Sequence, residues 1–375
     1  MTGQLLRGGT PPLPVIAFLC AFIALFRPLG ANIAYGAAEP LFALAMVGLA
    51  FGAYAMMRFG DRAAIVAGLV ASHFAGAVVI AELPEVGSHP FGAFWSGLVA
   101  AWLLAWATVG RIAAVRTRNP TWSRIIGIAI PALFGIWILI LWEALVRGLG
   151  VPSVLLPAPS AIGAKLVSEV PTLAADFRQT FLKAVLIGWV LGCGSGFLVA
   201  LLVDRVPFLR RGLLPIGNFV SALPIVGVAP IMVMWFGFDW PSKAAVVVIM
   251  TFFPMLVNTV AGLEAAGRME RDLMRTYAAD HRQELLKLRL PAAMPFIFNA
   301  LKINSTLALI GAIVAEFFGT PIVGMGFRIS TEVGRMAIDM VWAEIAVAAL
   351  AGSLFYGAVA FVERVVTFWH PSVRR

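Results

Sequence analysis

A chain of 375 residues that is 61% hydrophobic and only 13% charged exceeds what a water-soluble fold can hide, since soluble domains carry about 25% charged residues. The mean hydropathy of +0.93 makes lipid the solvent for most of it. Both cysteines, Cys20 and Cys193, lie in apolar runs, which excludes a disulfide framework and a cysteine-based metal site, and the net charge of +9 becomes a question of which membrane face holds the Lys and Arg residues.

A membrane span takes about 20 mostly apolar residues. Ten such runs are expected, near 13–30, 36–57, 63–82, 92–115, 125–146, 180–203, 212–237, 243–264, 294–317 and 343–366. The first is read as a retained span, because further spans follow closely and no small-residue cleavage site comes soon enough. With both termini in the cytoplasm, 20 of the 28 basic residues fall on the inner side, and the other 8 face 11 of the 19 acidic residues outside. The inner face then carries +12 and the outer −3, as the positive-inside rule requires. Orientation thus accounts for the basic residues, and nucleic acid is not an expected partner.

The basic stretch 111–124 (RIAAVRTRNPTWSR) divides the chain into a four-helix N-terminal extension at 1–120 and a six-span half at 121–375. In the extension, His73 has no ligand-type partner at useful spacing and is expected to be packed or hydrogen-bonded. Trp142 and Glu143, at the end of the fifth span, resemble an interfacial anchor. The connection that follows contains VPSVLLPAPSAIGAKL, where Pro152, Pro157 and Pro159 forbid a continuous helix. Gly188, Gly192 and Gly196 then form a small-residue stripe, which fits close helix packing better than a binding role.

The cytoplasmic connection 264–291 is too long for a simple turn. Leu273, Met274, Tyr277 and Ala278 recur at helical spacing among Arg271, Asp272, Arg275 and Asp280, and Asp280 with Gln283 and Glu284 resembles an N-cap opening a second short helix. Pro291 sits where that helix meets the next span. The pattern fits a docking surface and a membrane-lying helix equally well. Polar groups inside spans are costly and are candidates for a substrate pathway: Asn218, Ser221, Asn258, Asn304 and Glu316, with Lys302, Ser305 and Thr306 beside them. The competing reading for each is an interhelical hydrogen bond or, for Lys302, snorkelling to the interface.

DLMRTYAADHRQELLKLRLP at 272–291, followed by AAMPFIFNALKINSTLALIGAIVAEFFG, resembles the cytoplasmic EAA loop and next span of type I ABC importer permeases. WEALVRGLGVPSVLLPAPSAI, LPIGNFVSALPIVGVAPIMVMWFGF, FFPMLVNTVAGL and GMGFRI are similar to the branch that imports nitrate, sulfonates, taurine and pyrimidine-type precursors. The likeness covers roughly 125–370 and implies an all-α integral membrane fold: a six-helix core, with a type-1 transmembrane domain at about 175–366, behind four extra helices for which the family offers no role. Asp272, Leu273 and Met274 stand where the family has Glu-Ala-Ala, and Ala278 stands where it has an inter-helix glycine, so the bend is expected at Ala279 or Asp280.

No GxxxxGK[ST], HExxH or GxSxG is found, so the chain is not expected to be an enzyme or to bind a cofactor. The resemblance implies ATP and Mg on a partner ABC ATPase subunit, an extracytoplasmic solute-binding protein, a second permease copy forming a homodimer, and residence in a bacterial inner membrane. Asp272, Leu273, Met274, Tyr277, Ala278, Ala279, Asp280 and Pro291 would couple the ATPase to alternating access. The solute implied is a sulfonate, a nitrate-like anion or a pyrimidine-type precursor. An ion-gradient-driven carrier is the alternative, and it calls for pseudo-symmetric broken helices, of which no internal repeat gives a sign.

Overall fold

Lipid offers no partners to backbone amides, so spanning segments close their own hydrogen bonds as helices. The computed structural model describes residues 12–30, 35–83, 92–221, 224–319 and 322–369, without the side chains at 218, 219 and 221, and this described chain contains helices and no strand. Eight helical runs are long and apolar enough to cross a bilayer. The other two expected spans take different forms. The first is the 15-residue helix Pro12–Phe26, and the run at 212–237 is divided into Pro207–Ser221 and Ile225–Phe236, with Pro224 as the cap of the second piece.

The chain forms two compact units, 1–162 and 163–375. The first holds α1 (Pro12–Phe26), α2 (Pro40–Arg58), α3 (Asp61–Ala81), α4 (Gly92–Ala114) and α5 (Pro120–Gly148). Phe42, Met46, Leu49, Phe94, Leu98 and Leu104 fill its core. Asn119 caps α5, its Oδ1 accepting from the Thr121 amide at 2.9 Å, and Pro120 occupies the first turn, where a missing N–H costs nothing. Although α5 follows the basic linker, it packs on α3 and α4, through Trp137 lying over Gly76. His73 is hydrogen-bonded as expected, Nδ1 to the Leu69 carbonyl at 2.8 Å. Glu143 departs from expectation. It is buried and accepts from the Ser160 amide (2.9 Å), the Ser160 hydroxyl (2.6 Å) and Arg147 (3.1 Å), so it fastens the Pro-rich connection.

The second unit holds α6 (Pro159–Ser168, its first residues shared with the other unit), α7 (Val170–Phe177), α8 (Leu186–Arg205), α9 (Pro207–Ser221), α10 (Ile225–Phe236), α11 (Trp240–Glu264), α12 (Arg268–Thr276), α13 (His281–Glu284), α14 (Leu290–Glu316), α15 (Met325–Gly334) and α16 (Ile338–Val366). Wider i→i+5 turns at Arg178–Val185 and Leu285–Arg289 join α7 to α8 and α13 to α14 without a break. Pro291 therefore lies in the first turn of a helix that runs on from the second short one, which is no separate element.

Helix α11 is the hub, packed most extensively on α14 and α8. The α8 contact is possible because of the glycine stripe. A Cβ at Gly188 would lie 2.6 Å from Val247, one at Gly192 would lie 2.0 Å from the Thr251 hydroxyl, and one at Gly196 would lie 2.5 Å from the Phe252 carbonyl oxygen. Small residues at a helix interface let backbones approach where lipid supplies no hydrophobic drive. Gly192→Leu is expected to cost at least the 1–3 kcal/mol typical of overpacking and to abolish a monodisperse peak in detergent chromatography. Gly194→Ala, which faces open space, should leave the peak unchanged.

Candidate functional site

Polar side chains of the second unit gather at the two ends of its bundle. At one end stands α12, none of whose residues is buried. Met269 (79% exposed), Leu273 (57%) and Tyr277 (79%) form an apolar face on a helix whose other positions are mostly charged. Asp272 and Arg275 are exposed and 3.6 Å apart, an ion pair that contributes at most a few tenths of a kcal/mol and leaves Asp272 available to another molecule.

The turn out of α12 is a Schellman motif. The Ala279 amide donates to the Met274 carbonyl at 3.0 Å and the Ala278 amide to the Arg275 carbonyl at 2.9 Å. This geometry places the residue after the cap in the left-handed region, and Ala278 is there, with φ of 52°. The bend is therefore made at Ala278 and not at Ala279 or Asp280: the backbone hydrogen-bonding pattern demands that conformation whatever side chain is present. Asp280 then opens α13 with a full capping box, its Oδ1 accepting from the Gln283 amide at 2.7 Å and its own amide donating to Gln283 Oε1 at 3.3 Å.

Two arginines tie this loop to the bundle. Arg271 of α12 donates to the carbonyls of Leu263 and Glu264, both at 3.3 Å, at the end of α11. Arg289, where the wide turn enters α14, donates through Nε to the same Leu263 carbonyl at 3.1 Å and makes a two-pronged contact with Asp204 of α8 at 2.5 and 2.7 Å. The Asp204 and Arg289 side chains are only 8% and 9% exposed. Removing one partner of such a pair costs about 3–5 kcal/mol, because the other charge is left buried. Glu264 pairs with Arg210 of α9 beside them, and Lys302 pairs with Glu363 of α16 at 2.7 Å instead of snorkelling free.

Glu316 ends α14, about 40 Å from Leu290 along the helix. It is 2% exposed, accepts from the Thr180 hydroxyl at 2.8 and 3.0 Å, and accepts from the Gly326 amide at 2.7 Å. Asp176 accepts from the Gly324 amide at 2.6 Å and from Arg328 Nε at 2.8 Å, while the Thr180 oxygen accepts from the Met325 amide at 2.8 Å. The first amides of α15 are thus each met by an acceptor, two of them carboxylates placed where the helix dipole favours negative charge. This explains GMG at 324–326. Gly324 has φ of 145°, and a Cβ at Gly326 would lie 2.1 Å from the Ile313 carbonyl oxygen. Asp176 holds the Arg328 guanidinium above its ordinary pKa. Lys243, buried in α11, donates to the carbonyls of Phe238 and Gly319. Asp239, the α11 cap, accepts from the Trp240 amide and from Gln179, both at 2.7 Å, and its carboxyl is held below the ordinary value chiefly by that amide. Glu344 is fully buried facing Asp176, with no donor on either oxygen among the described residues.

Asn304 and Glu316 are therefore occupied by contacts between helices. Asn304 donates to the Thr251 carbonyl at 2.8 Å and to Cys193 Sγ at 3.2 Å, fully buried among α8, α11 and α14. Asn258, Ser305 and Thr306 bond carbonyls of their own helices. The side chains of Asn218 and Ser221 lie outside the described residues. Asp204, Arg271, Arg289, Asp176, Thr180 and Glu344 were not among the sequence candidates. The visible signals for them are the acidic residue near the end of an apolar run at 204 and the glycine pair whose helix start needs an anion.

Residues 184–368 match the family described as binding-protein-dependent transport system inner membrane component. The chain is 32% identical to the formylaminopyrimidine transport permease protein of Halalkalibacterium halodurans over 64% of its own length and 95% of that protein. It is 28% identical to the putative aliphatic sulfonates transport permease protein of Bacillus subtilis, over 66% of its length and 88% of the relative. It is also 28% identical to the taurine transport system permease protein of Escherichia coli, over 54% and 71%.

Ala278→Gly is expected to stabilise the loop by about 1 kcal/mol, since glycine carries no left-handed penalty. Amide exchange at 277–283 should slow several-fold. Unchanged or faster exchange would show that the Ala278 conformation carries no cost.

Proposed function

This chain belongs to the family of binding-protein-dependent transport system inner membrane components, permeases of ABC importers in the nitrate, sulfonate and taurine branch, and from that membership we propose that it moves a small solute inward on energy from a separate ATPase subunit. The observation that carries this reading is the apolar face of Met269, Leu273 and Tyr277, exposed on a charged helix and fastened to the bundle through Arg271. An apolar face of this kind fits a lipid surface as well as a protein groove, and membership of the importer family favours the groove. Here it stands on a Schellman turn and a capping box, local bonds that hold its shape for a partner's groove.

In this reading both termini lie in the cytoplasm, as the charge asymmetry requires. The loop 264–291 receives the ATPase, with ATP and Mg held on that subunit, and two permease copies enclose the pathway. An extracytoplasmic binding protein delivers solute to the opposite end, near Asp176, Glu316 and α15. ATPase closure shifts a two-state bundle between inward-open and outward-open forms because the ATPase binds the two forms unequally. Asn258, Asn304 and Glu316, bonded within and between helices, would hold the pathway's walls, and Asn218 and Ser221 remain its candidate polar residues. The relatives' names favour a small solute, a sulfonate, a small oxyanion of the nitrate or bicarbonate kind, or a formylaminopyrimidine-type precursor. By the family likeness residues 1–120 are an added module and 121–375 the importer core, whose first helix, α5, packs on α3 and α4 of the module.

Leu273→Asp with Tyr277→Asp is expected to lower ATPase co-purification at least tenfold, equivalent to about 1.4 kcal/mol, with membrane content unchanged. Wild-type co-purification by the doubly substituted protein would remove the docking role of α12.

A further inference from the structure

Arg289 uses Nε and both terminal nitrogens, and its partners belong to different helices: the Leu263 carbonyl ends α11, and Asp204 lies in the last turn of α8. Its own backbone leads straight into α14. Arg271 reaches the same Leu263 carbonyl from α12. One carbonyl and one guanidinium thus join the exposed helix to the roots of α11 and of the two helices, α8 and α14, that pack on it most extensively.

We infer that Asp204 and Arg289 are positioning residues for coupling, the rigid junction through which movement of α12 is delivered to α8 together with α11 and α14. This rests on the proposed docking of an ATPase on α12. A two-pronged guanidinium–carboxylate contact fixes direction as well as distance, which a lysine on a flexible stem does not. Burial removes the pair from ionic screening and from competition with water. The glycine face of α8 lies directly against Val247, Thr251 and Phe252 of α11, so a displacement delivered at Asp204 enters a pair of helices in close contact.

The test uses the full-length chain with its ATPase in nanodiscs, in a background carrying Cys20→Ala and Cys193→Ala. A single environment-sensitive fluorophore is placed at Arg268→Cys on α12, off the apolar face, or at Leu202→Cys on α8, both exposed positions. The probe is Mg-ATP with vanadate, so no solute need be known. In the otherwise unsubstituted protein both labels should respond. With Arg289→Lys the response at 268 should remain, and the response at 202 should fall at least fivefold. The exchange Asp204→Arg with Arg289→Asp should return at least half of it. Should Arg289→Lys fail to reach the membrane, Asp204→Glu, which keeps the charges but displaces the fork by one methylene, should show the same split. An undiminished response at 202, or equal loss at both positions, would reduce the pair to a structural brace and overturn the inference. No response at 268 in the unsubstituted protein would instead overturn the docking reading on which it rests.

Discussion

A hydrocarbon environment supplies no hydrogen bonds, so a buried polar group in this chain finds its partner within the protein or, like the Glu344 carboxyl, goes without one among the described residues. That constraint explains where the polar residues of the second unit are. They gather where helices begin and end and where backbone groups are already in need of partners. At one end Arg271 and Arg289 take the last carbonyls of α11. At the other, Asp176, Thr180 and Glu316 take the first amides of α15. Between them the contacts are glycine, alanine and apolar side chains, with Asn304 a buried exception that holds α8, α11 and α14 together.

The two ends differ in what they can do. The carboxylate end satisfies α15 so fully that its glycines cannot be replaced without moving Glu316 or the Ile313 backbone. It behaves as a latch of fixed geometry. The arginine end leaves a whole helix standing outside the bundle with its apolar face uncovered. A movement applied there acts on a lever attached at few points, and the most buried of those points is the Asp204–Arg289 pair. Tight small-residue packing along α8 and α11 would then carry the displacement lengthwise, since packed interfaces shift between discrete arrangements and do not deform smoothly.

Sequence reasoning reached the features that depend on neighbours along the chain. Long apolar runs gave the spans, Pro152, Pro157 and Pro159 gave the break, and Asp280 with Gln283 gave the cap. The stripe at Gly188, Gly192 and Gly196 gave a helix contact, although not its partner. It failed where the deciding interaction is distant or is a matter of backbone state. Asp204 and Arg289 are 85 positions apart, and Glu316 and Thr180 are 136 apart, so neither pair leaves a local pattern. Ala278 was misjudged because residue preference argued against a left-handed turn that the Schellman hydrogen bonds enforce. The wide turn at Leu285–Arg289 hid the continuity of α13 with α14, since Pro291 reads as the meeting point of two helices but lies in a first turn that tolerates it.

Hydrogen–deuterium exchange on the chain in nanodiscs, with and without its ATPase subunit, addresses the central claim most directly. Docking on α12 predicts that protection appears at 269–280 and nowhere comparable on the opposite end around 324–334. Exchange at 269–280 that stays the same in the assembled complex, with protection arising elsewhere, would contradict it.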